Sequence, residues 1–264
     1  MRKTYQELEF KDAFMFAAVM SDAESCRGVL ERILGIPIRK VMVHAEHVLF
    51  VNPETRGVRL DVYADDEHGT VYNVEMQTTD NKNLPKRSRY YQGQMDMDAL
   101  KTGEDFARLP QSIVIFICTF DPFGEGRHIY TFCNTCQENT ALTLDDDAVK
   151  IILSTNGTMD DVSPEMKRIL DYIDGKGASD KFTEELEEAV CSARQNERWR
   201  LDYMTLEYEY RQRYLEGKEE GRAEGRERTI QKLHERGDSI ASIADIVELD
   251  EEAVKRIIKA MGLE

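Results

Sequence analysis

The stretch Val58–Gln77 reads VRLDVYADDEHGTVYNVEMQ, and its pattern decides the fold. Two runs, 58–64 and 70–77, flank Asp65-Asp66-Glu67-His68-Gly69, a hairpin signal in which Gly69 can take a left-handed turn position. In the first run Val58, Leu60, Val62 and Ala64 alternate with Arg59, Asp61 and Tyr63. In the second, Tyr72, Val74 and Met76 alternate with Asn73, Glu75 and Gln77. Successive side chains of a strand face opposite ways, so a one-residue slip would put the two apolar sets on opposite sides. Matching them requires paired residue numbers with an even sum, and a tight turn near His68 sets that sum at about 136. Asp61 then falls opposite Glu75, and Arg59 opposite Gln77, all on one face. Opposed Cβ atoms in such pairs lie about 4.5–5.5 Å apart.

Two carboxylates so placed repel unless something positive joins them. A hard divalent cation, Mg²⁺ or Mn²⁺, resolves the repulsion, since such ions take carboxylate oxygens. Gln77 lies two residues beyond Glu75 on the same face, about 7 Å along the strand, where its amide could position a water or a phosphate. The plain alternative is a solvated polar face on an antiparallel hairpin, and spacing alone favours that alternative.

Outward from the hairpin, residues 6–34 carry apolar residues at helical spacing: Phe10, Phe14, Ala17 and Ala18, then Cys26, Val29, Leu30 and Ile33. Ser21-Asp22 can cap a fresh start, which leaves one helix or two, and Gly35 ends the stretch. Residues 36–51 turn β-like. Residues 86–101 read as a helix, and SIVIFICTF at 112–120 is a continuous apolar run, the mark of a strand buried on both faces. His128–Cys133 is a further strand candidate. The order α-β-β-β-α-β makes an α/β core, a mixed sheet flanked by helices, ending near residue 155.

Beyond it, residues 156–236 read as an acidic and charged helical region. Gly217, Gly221 and Gly225 recur every fourth residue there, which predicts a flexible or closely packing charged linker. Residues 237–264 read as a small helix-turn-helix-like tail. Asp238 and Asp250 are its predicted caps, and Ile240, Ile243, Ile246, Val254, Ile257 and Ile258 its core.

The chain has 264 residues, 41% hydrophobic, with a net charge of −16. Global disorder is excluded by the apolar content. No apolar run reaches the roughly 18 residues a membrane span needs. Five scattered cysteines and an N-terminus without an apolar signal core point to the cytoplasm. The acidity sits in the middle: residues 138–188 hold 5 basic and 14 acidic side chains, against 16 and 20 in 1–137 and 14 and 17 in 189–264. A basic nucleic-acid coat is therefore disfavoured, but a nuclease is not, because a bound metal supplies local positive charge. No GxxxxGK[ST] or GxGxxG occurs, so no nucleotide cofactor is indicated. Cys133-Asn-Thr-Cys136 lacks a second ligand pair and reads as two ordinary thiols. His44 and His47, three apart in a β-like region, would face opposite sides of a strand. Trp199 and tyrosines 203, 208, 210 and 214 read as packing residues of a charged helix more than base-stacking platforms.

VRLDVYADDEHGTVYNVEMQ, followed by KRSRYYQGQMDMDALKTGEDFARLPQSIVIFICTFDPFG, resembles the Rpn-type transposase nucleases, a branch of the PD-(D/E)xK phosphodiesterase superfamily. KDAFMFAAVM and LERILG resemble that family's N-terminal helical region, so the resemblance covers roughly residues 5–155. EGKEEGRAEGRE and the tail resemble its C-terminal extension more loosely. The resemblance implies a restriction-endonuclease-like core and a Mg²⁺- or Mn²⁺-dependent DNA endonuclease that promotes recombination. It places the metal-binding Asp on Asp61 and the acidic residue of (D/E)xK on Glu75. The motif lysine falls on Gln77, a departure that removes a cation able to stabilise the phosphate, although glutamine there is familiar within this branch. Lys82 and Lys86 are substitutes in reach. Asp12, Arg87 and Tyr90 are auxiliary candidates. The alternatives are a catalytically weak relative acting through DNA binding or self-association of the helical tail, and a pure interaction protein whose acidic middle recruits a basic partner.

Overall fold

The computed structural model describes residues 3–44, 48, 49 and 58–263. His47 and Val51 of the β-like stretch, and the side chain of Arg59, lie outside the described residues. A 3-10 turn, Tyr5–Glu7, leads into α1 (Ala13–Met20) and α2 (Ala23–Leu34). The chain breaks between them at Ser21-Asp22, and the Asp22 carboxylate accepts from Ser25 N at 2.9 Å, satisfying an otherwise orphan donor of the first turn. Gly35 ends α2 at φ 69°, a left-handed value that suits glycine.

Strands β1 (Val41–His44), β2 (Val48–Leu49), β3 (Val58–Arg59), β4 (Val62–Asp66) and β5 (Val71–Gln77) follow, then α3 (Leu84–Ala99), β6 (Ser112–Cys118), β7 (Ile129–Phe132) and β8 (Ala148–Ser154). Six strands form one mixed sheet in the order β1-β4-β5-β6-β8-β7, while β2 and β3 make a separate antiparallel pair. The parallel pairs are β5–β6 and β6–β8; the other pairs of the large sheet are antiparallel.

The hairpin register is as expected: Val62 pairs with Val74, Tyr63 with Asn73 and Ala64 with Tyr72. Its turn is held by Asp66, whose carboxylate accepts from His68 N at 2.8 Å and Thr70 N at 3.0 Å, with Gly69 at φ 82°. The first run is not one strand, however. It splits at Leu60-Asp61 into β3, which pairs with β2, and β4, which pairs with β5. Arg59 is consequently backbone-paired with Val48. The sequence reading also lacked β8, which inserts between β6 and β7.

The sheet is covered on both faces. Even-numbered residues of β5 (Tyr72, Val74, Met76) lie on one face and the odd-numbered ones on the other. Helix α3 packs on β6, with Leu84 and Met95 in a core cluster that includes Tyr63, Val114 and Phe116. The hairpin's polar face is thereby buried: Asn73, Glu75 and Gln77 are 0%, 3% and 9% exposed. That removes the solvated-face alternative.

After the sheet come α4 (Pro164–Ile173), α5 (Lys181–Gln195), α6 (Glu197–Glu235), α7 (Ile240–Val247) and α8 (Glu251–Ala260). The chain makes two compact units, Met1–Arg200 and Leu201–Glu264. In the first, α4 contacts α2 and α5 contacts α1, and Trp199 meets Phe14 edge-on at 6.1 Å. Gly217, Gly221 and Gly225 stay helical inside α6, and a Cβ at any of them would meet nothing, so the expected flexible or closely packing linker is a continuous open helix. In the second unit Ile230, Ile243, Ala244, Val247, Val254 and Ile258 form a buried cluster. Ile246, expected inside, is 52% exposed, and Val247 takes the inward place because α7 presents positions 243, 244 and 247 to its neighbours. Ser239, not Asp238, caps α7; Asp238 instead pairs with Arg236. Asp250 caps α8 as expected, accepting from Ala253 N at 2.7 Å. Among the described residues no helix is long and apolar enough to cross a membrane.

Candidate active site beneath the α3 helix

The break at Leu60-Asp61 builds the site. Past Val62 the β4–β5 ladder stops, and side chains take over the backbone groups it would have used. Met76 N donates to Asp61 Oδ2 at 3.1 Å, and Asp61 N donates to Glu75 Oε1 at 3.1 Å. The two acidic residues are thus interlocked across adjacent strands, each carboxylate taking an N–H from the other's strand.

Glu75 is nearly buried, under α3 and against β6, where Phe116 is its neighbour in register. Burial pushes its carboxyl up to about 8, and the adjacent Asp61 charge adds to that rise; the Asp61 N–H and Arg87 oppose it. A buried carboxyl beside a second carboxylate favours a bound proton or a bound cation.

Gln77 is fixed at both ends of its amide. Its Nε2 donates to Thr79 O at 2.5 Å, and its Oε1 accepts from Arg87 Nη1 at 2.6 Å. Arg87 reaches the sheet because α3 starts at Leu84-Pro85, which puts residue 87 in the first turn facing inward. Proline suits that start because its missing N–H is among the helix's orphan donors. Arg87 Nη2 is 3.4 Å from Glu75 Oε2 and donates to Tyr91 Oη at 3.0 Å, and the guanidinium lies 5.3 and 5.2 Å from the Tyr91 and Phe116 ring centroids. Residues 87 and 91 share one helix face, so Tyr91 stacks where Tyr90 cannot; Tyr90 is 38% exposed.

The remaining sequence candidates fall outside this network. Lys82, at φ 54°, pairs with Asp80, and Lys86 is exposed. Asp12 precedes α1, and its carboxylate takes Glu9 N and Lys3 Nζ, each at 2.7 Å. His44 pairs with Asp65 at 2.5 Å. Cys133 and Cys136 are free thiols, exposed and half-buried. Tyr91 and Asn73 are the contributors that sequence reasoning missed. Asn73 is fully buried on the Glu75 side of β5, and neither of its amide atoms makes a hydrogen bond of good geometry among the described residues. The amide lies near enough to Glu75 to favour that carboxyl's charged form. The period-two pattern put Asn73 on that face, but nothing local marked it as buried.

A mixed sheet with an α-β-β-β-α-β core, helices on both sides and an Asp/Glu pair at the central hairpin defines the PD-(D/E)XK class of nuclease fold. The family model of the PD-(D/E)XK nuclease family transposases matches residues 14–153, more than half of the chain, and this chain belongs to that family. Its function is accordingly of the nuclease type. Comparison with curated proteins and with solved structures gives no match.

Proposed function

We propose that this chain is a metal-dependent endonuclease acting on DNA, of the recombination-promoting Rpn type and cytoplasmic, with Asp61 and Glu75 as holders of Mg²⁺ or Mn²⁺. The interlocked Asp61–Glu75 pair carries the reading. Its donors fit the ion: both are hard carboxylate oxygens, Glu75 is held in a low-dielectric setting against a like charge, and the poorly satisfied amide of Asn73 adjoins Glu75. Two carboxylates suffice for Mg²⁺, which keeps several waters and relies on one or two carboxylates plus substrate phosphate.

When bound, the ion supplies Lewis-acid stabilisation of phosphoryl charge and a lowered water pKa. The chain's own residues do the rest. Met76 N–H fixes the Asp61 carboxylate, and Asp61 N–H fixes Glu75, so both oxygen sets are preorganised. Helix α3 keeps bulk water from the Glu75 side. Arg87 offers a fixed positive charge and one remaining Nη1 donor to a phosphate.

The test is nicking of supercoiled plasmid by purified protein with Mg²⁺ or Mn²⁺, beside Asp61→Ala. Cleavage by the wild type that vanishes in the variant and in chelator supports the proposal. Equal cleavage by both, or none with either metal, overturns it.

A further inference from the structure

We infer that Gln77 and Arg87 form one functional unit, in which Arg87 on α3 is the fixed cation of the site and Gln77 is the positioning residue that aims it. The inference rests on the nuclease reading for its catalytic half; the pairing itself stands on geometry alone. Thr79 O takes the Gln77 NH₂, which leaves only Gln77 Oε1 to face Arg87 Nη1 at 2.6 Å. The reverse amide orientation would set NH₂ against guanidinium, donor against donor, so the network admits one orientation.

Arg87 is then fixed on three further sides. Tyr91 Oη accepts from its Nε at 3.3 Å and its Nη2 at 3.0 Å, Glu75 Oε2 lies 3.4 Å from Nη2, and the Phe116 and Tyr91 rings carry its face. A guanidinium has five N–H donors. These contacts account for four, and the side chain remains 27% exposed, so one Nη1 donor and an open edge are left for an incoming phosphate.

A lysine at position 77 would aim an ammonium at this guanidinium. Glutamine at 77 is therefore the complement of arginine at 87. The positive charge enters the site from the helix instead of the strand, as a guanidinium held in place through four of its donors with one Nη1 donor left at the open edge, where an ammonium is a point charge on a flexible stem.

The full-length chain and three variants, Gln77→Lys, Arg87→Gln and the double variant, decide the matter in two assays. One is plasmid nicking with Mn²⁺, and the other is melting in chelator. The expected result is that each single variant loses at least about tenfold in nicking rate. The double variant, with its cation moved back to the strand, is faster than either single. In chelator Gln77→Lys melts below the wild type, and adding Arg87→Gln to it raises the melting temperature. Arg87→Lys, which keeps the charge and loses the fork, nicks faster than Arg87→Gln and melts no lower. Wild-type nicking by Gln77→Lys or by Arg87→Gln overturns the inference, as does a double variant whose losses in both assays multiply or add. If the wild type nicks with neither Mg²⁺ nor Mn²⁺, the nuclease reading falls and melting alone decides the pairing. Additive effects of the two substitutions then overturn it, and a double variant more stable than Gln77→Lys upholds it.

Discussion

Asp61→Asn keeps the shape of the site and removes one charge. The new amide's carbonyl oxygen can still accept from Met76 N, now held at 3.1 Å by Asp61 Oδ2, and the backbone N–H of residue 61 can still donate to Glu75. The negative charge beside the buried Glu75 is gone, together with one of the two carboxylates proposed to hold the ion. In chelator the variant should be no less stable than the wild type. Metal should then separate them. An ion that binds only the folded state at a hundredfold excess over its dissociation constant stabilises by about 2.7 kcal/mol. The unit carrying the site spans Met1–Arg200, and domains of that size shift by roughly 2–4 °C per kcal/mol, so the wild type should gain about 5–11 °C. Asp61→Asn should gain nothing over the same titration. Melting curves followed by circular dichroism, in chelator and at graded Mg²⁺ or Mn²⁺, measure both effects. An equal metal shift in the two proteins refutes the shared-ion site. A variant several degrees less stable in chelator refutes the argument that Asp61 and Glu75 oppose each other.

Other outcomes follow from the same structure. The folded-state pKa of Glu75 lies above its ordinary 4.5, so its contribution in the metal-free protein is full below that value and is lost as pH rises toward about 8. The urea midpoint in chelator should fall over that window in the wild type and fall less in Glu75→Gln; parallel profiles for the two would contradict the burial argument. Gly157→Ala should destabilise by at least about 1–3 kcal/mol, because its Cβ would sit 2.5 Å from the His128 ring and 2.7 Å from His128 N, and backbone cannot step aside. A melting temperature equal to wild type would show that this approach is relaxed in solution. Ile243→Ala, in the centre of the tail cluster, should cost the tail about 2–5 kcal/mol while leaving the metal-induced shift intact. Loss of that shift in the variant would tie the tail to the site.

The sequence alone determined the hairpin register, because a strand's period of two and the Asp66–Gly69 turn together leave one way to match the apolar faces. It determined the caps Asp22 and Asp250 for a similar reason: a side-chain oxygen bonds an N–H only three residues away. The family resemblance was legible in the same blocks, and it pointed to Asp61 and Glu75. Everything that brings those two residues together as a candidate site was decided by the tertiary structure. The break at Leu60-Asp61 arises because β3 pairs with β2 while β4 pairs with β5, a competition between partners that no local window contains. Strand β8 takes its place by pairing with β6, thirty-six residues earlier in register, and the acidic run before it hides the strand from a composition reading. Glu75 looks like half of a solvated face until α3 is laid over it, and that burial sets its proton affinity. Arg87 and Tyr91 belong to a helix that the sequence placed correctly but could not orient against the sheet. Which helix residue meets Gln77 depends on how α3 docks on β6, and docking is set by the packing of Leu84, Met95 and Phe116 together, not by any one of them.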